Sequence, residues 1–139
     1  MYLLDTNVVS ELRRPDKASS AVLAWSRAAV ADQLFISSIT VFEIELGVRQ
    51  KERREATQGR LLRQWLEMQV LPQFQGRVLD VDIAVARRCA ALHSPHPAPE
   101  RDAWIAATAL VHHMTVVSRN TRDFLACGAQ VFNPWLAPD

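Results

Sequence analysis

Cysteine is almost missing from this chain, with Cys89 and Cys127 the only two among 139 residues. Two thiols so far apart form neither a metal-ligand spacing nor a disulfide framework, so a reduced, cytoplasmic protein is expected. Glycine is equally scarce. Gly47, Gly59, Gly76 and Gly128 are too dispersed to build a phosphate-cradling loop, which argues against nucleotide binding of that kind. No stretch approaches the roughly 18 consecutive apolar residues of a membrane span, and the opening Met-Tyr-Leu-Leu-Asp lacks a basic region followed by an apolar run, so no membrane attachment is expected. An excess of one charge is missing too: 16 basic against 15 acidic side chains leave a formal net charge of +1. The overall field therefore draws in no polyanion, and any binding to nucleic acid must come from a local patch.

What is present is apolar: 49% of the residues, enough for one ordinary core and a single domain over residues 1–139. Tyr2 to Leu4 reads as a buried strand that breaks off at Asp5-Thr6-Asn7. Helical spacing over Ser20 to Val30 leads to a second apolar run, Leu34 to Ser37. From Thr40 a helix carries Val41, Phe42, Ile44, Leu46 and Val48 toward the basic stretch Arg49 to Arg63, and Leu61 to Val70 continues as helix. Val78 to Val81 is a third strand, and Asp82 suits the cap of a helix through Ile83, Val85, Cys89 and Leu92. Pro95, Pro97 and Pro99 then forbid regular helix and mark an exposed connection. An alanine-rich helix over Trp104 to His112, a strand Thr115 to Ser118 and a short strand Ala129 to Phe132 complete the alternation. Strands alternating with helices predict an α/β fold, with a mostly parallel sheet covered on both faces.

In such a sheet the ligand crevice lies beyond the carboxyl ends of the strands. Asp5 ends the first strand and Ser118-Arg119-Asn120 ends the fourth, while Asp102 opens the helix before the fourth strand and Glu43 lies in the first turn after the second. Three carboxylates gathered there repel: two charges about 4 Å apart interact by about 4 kcal/mol at an effective dielectric of about 20. Either their pKa values rise or a cation neutralises them. An all-oxygen ligand set suits Mg²⁺ or Mn²⁺, and phosphoester hydrolysis is the chemistry that follows. Each residue also has a purely structural reading. Asp5 can cap a turn, Thr40 and Glu43 match a capping box, Asp102 suits a helix dipole and Asn120 a turn.

These segments together resemble the PIN domains, and among them the VapC- and FitB-like toxins of type II toxin–antitoxin systems. The resemblance rests on Met1-Tyr-Leu-Leu-Asp-Thr-Asn-Val-Val-Ser-Glu11, Ile36-Ser-Ser-Ile-Thr-Val-Phe-Glu43-Ile-Glu-Leu-Gly47 and Asp102-Ala-Trp-Ile-Ala-Ala-Thr-Ala109. Val116-Val-Ser-Arg-Asn120-Thr-Arg-Asp-Phe124 and Val131-Phe-Asn-Pro-Trp135 extend it over essentially the whole chain. It implies a three-layer α/β/α sandwich and a Mg²⁺- or Mn²⁺-dependent endoribonuclease, with Asp5, Glu43 and Asp102 as metal-holding catalytic residues. The fourth family position, often Asp, is Asn120 here, one charge fewer; Asp123 stands near enough in sequence to compensate in part. Thr6 and Ser118 are suited to hydrogen-bond the ligating carboxylates. Similar toxins are held by a cognate antitoxin and form homodimers, and both are expected here.

Arg49, Lys51, Arg53, Arg54, Arg60 and Arg63 can form a local basic face for RNA phosphates, with Arg49, Arg53 and Arg60 the candidates for contact; the alternative is a solvated helix surface balanced partly by Glu52 and Glu55. Trp25, Trp65 and Trp104 suit the core, although an exposed tryptophan can stack on an unpaired base. Rival readings fare less well. Phosphatases and receiver domains that begin on a strand ending in Asp want a late lysine, and the lysines here are Lys17 and Lys51. A degenerate PIN domain that binds RNA or a protein without cleaving remains the alternative function, with Asn120 in its favour.

Overall fold

A computed structural model describes residues 1–136; residues 137–139 of the expected domain lie outside the described part. The chain opens on β1 (Tyr2–Leu4), whose side chains alternate between the two faces of the sheet. Leu3 is buried with Ile105, Ala106, Val116 and Phe124, whereas Leu4 is buried with Val8, Ile36, Ile44 and Val117. Every fully buried aliphatic side chain of this kind contributes about 1.5–3 kcal/mol of transfer free energy. Two such clusters on opposite faces require cover on both. Around β1 stand β2 (Leu34–Ser37), β3 (Val78–Leu79), β4 (Thr115–Val117) and β5 (Val131–Phe132), all parallel, in the order β3-β2-β1-β4-β5. The three-layer α/β/α sandwich is therefore as expected.

On one face lie α1 (Thr6–Glu11), α2 (Ser20–Ala28), α3 (Ser38–Arg54) and α4 (Ala56–Trp65). A π-helical turn, Leu66–Val70, and the short α5 (Leu71–Gln73) follow, and the turn buries Leu66 and Val70 in the same cluster. The other face is covered by α7 (Glu100–His112) and α8 (Thr121–Ala126), and α6 (Ile83–Leu92) packs against α7 through Val85, Cys89, Ala103 and Ala107. Small residues on α7 allow that close approach, as the alanine-rich pattern suggested. Asp82 caps α6 as expected, accepting from the Val85 amide at 2.9 Å. Among the described residues no helix is long and apolar enough to cross a membrane.

Several boundaries differ from the sequence reading. The helix expected to begin at Thr40 begins at Ser38, because the Ser37 hydroxyl, not that of Thr40, accepts from the Ile39 amide at 3.0 Å. Thr40 and Glu43 therefore form no capping box, and Glu43 sits in the second turn. Asp102 lies in the first turn of α7 but does not open it; Glu100 does, after Pro99. The long basic helix is broken at Glu55, whose backbone is extended (φ −143°, ψ 98°), so that α4 folds back on α3. Gly59 permits this contact: a Cβ there would stand 2.4 Å from the Cα of Glu52. Arg63 then crosses from α4 to Glu45 and Glu52 of α3 at 2.8 and 3.0 Å. The third strand is shorter than Val78 to Val81, and the fourth and fifth stop or start a residue or two inside their expected limits. The two six-residue helices, α1 and α8, were not anticipated, being too short to show a helical period.

Candidate active site

The strand order turns at β1. Chain progression runs one way through β2 and β3 and then returns past β1 to β4 and β5, so the crevice opens beyond the ends of β1 and β4. Parallel pairing in register, Tyr2 with Thr115 through Leu4 with Val117, brings the next two residues, Asp5 and Ser118, side by side. The Asp5 amide donates to the Val117 carbonyl at 2.9 Å, and the Ser118 hydroxyl donates to Asp5 Oδ2 at 2.6 Å. Asp5 Oδ1 accepts from the Thr6 amide at 2.8 Å, which makes Asp5 the N-cap of α1 as well. The structural and functional readings of this residue are thus compatible.

From Asp5 a continuous hydrogen-bonded chain runs in both directions. On one side the Thr6 hydroxyl donates to Glu43 Oε1 at 2.8 Å and lies 3.1 Å from that of the buried Thr40. On the other, Ser118 Oγ accepts from the Asn120 amide at 2.9 Å and from Asn7 Nδ2 at 3.3 Å. Asn120 Nδ2 then donates to Asp102 Oδ2 at 2.7 Å and to Asp123 Oδ2 at 3.0 Å. An ionised aspartate at position 120 has no hydrogen to offer either partner; the amide ties the two together. The structure thus links Asp5, Thr6, Glu43, Asp102, Ser118, Asn120 and Asp123, residues scattered over the whole sequence. It adds three that the sequence reading did not assign to the site. Asn7 also accepts from the Arg119 amide at 3.4 Å; Thr40, whose sequence setting suits a cap, meets the Thr6 hydroxyl instead; and Arg101 reaches Glu43 Oε2 at 3.6 Å. Asn7 sits three residues past the end of β1, the one signal that marks it; nothing local marks Arg101.

The electrostatics follow from this crowding. Burial pushes the Asp5 carboxyl above its ordinary value, against the opposing hydrogen bonds from Ser118 and Thr6, and the charge of Glu43 adds to the rise. Asp102 is pushed up to about 6, first by burial and then by the charges of Asp5, Asp123 and Glu43, while the Asn120 amide works the other way. Among the described residues no three His, Cys, Asp or Glu side chains are placed close enough together to hold a metal ion by themselves. Mg²⁺ does not ask for one. It keeps several waters and is bound through one or two carboxylates together with a substrate phosphate. The donor chemistry here is all oxygen, the carboxylates are held apart by hydroxyl and amide bridges, and the mutual repulsion on Asp102 is the term a divalent cation would cancel. In donor chemistry, though not as a closed set, Asp5, Glu43 and Asp102 suit such an ion, and Asn120 ties Asp102 to Asp123.

The arginines expected to meet RNA do not converge on this point. Arg49 is engaged by Glu45 at 2.9 Å. Arg53 lies ten residues beyond Glu43 on α3, about 15 Å along the helix axis, and Arg60 is exposed on α4. With Arg63 bound to Glu45, Glu52 and Glu67, and Lys51 to Glu55, much of this surface is balanced internally, as the solvated-helix alternative held.

Comparison with known proteins agrees with the topology. The sequence matches the PIN domain family over residues 2–128. It is 40% identical to Toxin FitB of Neisseria gonorrhoeae over 97% of this chain and 99% of that protein. It is 39% identical to the VapC ribonuclease Y4jK of Sinorhizobium fredii, over 97% of this chain and 98% of that one. Among solved structures, the crystal structure of FitAcB from Neisseria gonorrhoeae superposes with a TM-score of 0.89 at 38% identity, covering 99% of this chain and 100% of that one. A toxin–antitoxin complex from Klebsiella pneumoniae gives a TM-score of 0.66 at 25% identity over 96% and 98%. Sequence and backbone agree from end to end, and the acidic cluster stands where the strand order turns: the chain belongs to the PIN domain family.

Proposed function

We propose that this protein is a Mg²⁺- or Mn²⁺-dependent endoribonuclease and the toxin component of a type II toxin–antitoxin system, active in the cytoplasm. The observation that carries the reading is the group of carboxylates around Asp102, at the topological switch point, where burial first and then the charges of Asp5, Asp123 and Glu43 raise Asp102 to about 6. Structural carboxylates are normally paired with cations. Among the described residues these are bridged by Thr6, Ser118 and Asn120, and Arg101 on Glu43 is the one cation in the group. The names of the relatives point the same way, to a toxin and to a ribonuclease.

In this reading Asp5, Glu43 and Asp102 hold the ion, and Asn120 and Asp123 fix the orientation of Asp102. Ser118 aims Asp5 and Thr6 aims Glu43, so the carboxylates stay in place when substrate arrives. A divalent cation bound there supplies charge neutralisation at the scissile phosphate and activation of the attacking water. The toxin reading brings with it a cognate antitoxin that covers the acidic cleft, in keeping with a neighbouring structure described as a toxin–antitoxin complex, and a homodimeric assembly. The test is cleavage of total cellular RNA by purified, antitoxin-free protein with Mg²⁺, Mn²⁺ or EDTA. Discrete, metal-dependent products that vanish with Asp5→Asn are expected. An intact RNA pool with both metals would leave a PIN domain that binds without cutting, the reading that Asn120 favours.

A further inference from the structure

Two openings flank Glu43. Toward α7 lies an open hollow of about 570 Å³ lined by Ile39, Phe42, Glu100, Arg101 and Trp104. A smaller groove of about 200 Å³ is lined by Thr6, Arg13, Glu43 and Lys51. The hollow is bordered by the residues immediately preceding two of the carboxylates: Phe42 before Glu43 and Arg101 before Asp102. Phe42 is a large apolar ring left 51% exposed on a helix whose inner face is fully packed, so it has no part in the core. The Arg101 guanidinium lies over it, 5.1 Å from the ring centroid, while reaching Glu43 at 3.6 Å. Trp104, half-buried one helical step further along α7, closes the far side.

We propose that this hollow is a subsite for one unpaired nucleobase of the RNA next to the scissile phosphate, with Phe42 as the stacking ring and Arg101 beside it. The inference rests on the nuclease reading and deepens it. An aromatic ring with an arginine plane beside it is the arrangement that stacks unpaired bases, whatever their identity. A duplex keeps its bases stacked internally and offers the hollow nothing. Arg101 lines the hollow and Arg13 the groove past Glu43, cations that suit the phosphate backbone of an unpaired strand, whereas Lys51 in the same groove is engaged by Glu55. A purely apolar protein partner would have no use for that pattern.

The test measures steady-state cleavage with Mn²⁺ of a short single-stranded oligoribonucleotide and of the same RNA annealed to its complement, by wild type, Phe42→Ala, Phe42→Leu and Phe42→Trp. Sedimentation of each variant runs alongside. The expected result is a rise in KM for the single strand of about 5- to 150-fold in both Phe42→Ala and Phe42→Leu, the loss of one base–aromatic stack. Phe42→Trp should restore the wild-type KM, kcat should change little throughout, and the duplex should be a poor substrate for all four proteins. Because Phe42 is exposed, the variants should melt with the wild type. An unchanged KM in Phe42→Ala, or full retention in Phe42→Leu, would overturn the subsite and leave the nuclease intact. So would a wild-type dimer that Phe42→Ala alone dissociates, since the face would then belong to a second copy of the chain. Wild type that cleaves neither RNA would remove both readings.

Discussion

Asp102→Asn should stabilise the metal-free protein at neutral pH, although it removes a residue assigned to the active site. Folded Asp102 titrates at about 6 against an ordinary value of 3.8, so the folded state holds its proton more tightly than the unfolded chain does. Between those two values the folded protein binds more protons. Stability from this group is therefore greatest in acid, falls as the pH rises through about 4 to 6, and is fully lost above that window. A gap of about two units corresponds to roughly 3 kcal/mol, and solvent screening of a partly exposed side chain brings this to about 1–2 kcal/mol. Asparagine cannot ionise, yet its carbonyl still accepts from Asn120 Nδ2, so the gain should appear at pH 7 and vanish near pH 4. For a chain of this size that is about 3–7 °C in Tm. Urea and thermal unfolding in EDTA across the pH range, wild type against variant, would read it. A wild type whose stability relative to the variant stays flat or rises between pH 4 and pH 7 would refute the account of the crowded carboxylates. Adding Mn²⁺ should invert the order at pH 7, since the ion stabilises only the protein that can hold it.

Two further outcomes follow. Asn120→Asp exchanges two donated hydrogen bonds for a charge beside Asp102 and Asp123. It should cost the metal-free protein about 1–3 kcal/mol at pH 7 while tightening Mn²⁺ binding, both readable by calorimetry; unchanged affinity would separate position 120 from the ion. Gly59→Ala, whose Cβ meets backbone of Glu52 at 2.4 Å, should force α3 and α4 apart and lower the urea midpoint by an amount equal to about 1–3 kcal/mol, with the rate per folded molecule unaltered.

The sequence by itself determined the fold class and most of the site. Buried parallel strands declare themselves as short apolar runs, and chain alternation restricts where their ends can lie, so Asp5, Ser118 and Asn120 were legible from position alone. Glu43 and Asp102, which taken one at a time look like helix-terminal residues, were brought to the same crevice by their positions next to strands, and the resemblance across segments then raised the odds of the whole set. What only the tertiary structure decided were relations between side chains that neither periodicity nor capping rules describe. Ser37 took the capping role from Thr40, and that released the Thr40 hydroxyl to lie beside Thr6. Gly59 allowed α4 to turn back at Glu55, and that spent Arg63 on glutamates instead of nucleic acid. Helices of one and a half turns, such as α1 and α8, are too short to carry a periodic signal and form because the sheet presents their first residues. The placement of Arg101 over Phe42, beside Glu43, depends on α7 crossing α3, a contact between residues far apart in sequence. Local sequence fixes which backbone bonds are made; which distant side chains then meet is set by packing, and in this protein packing assembled the site.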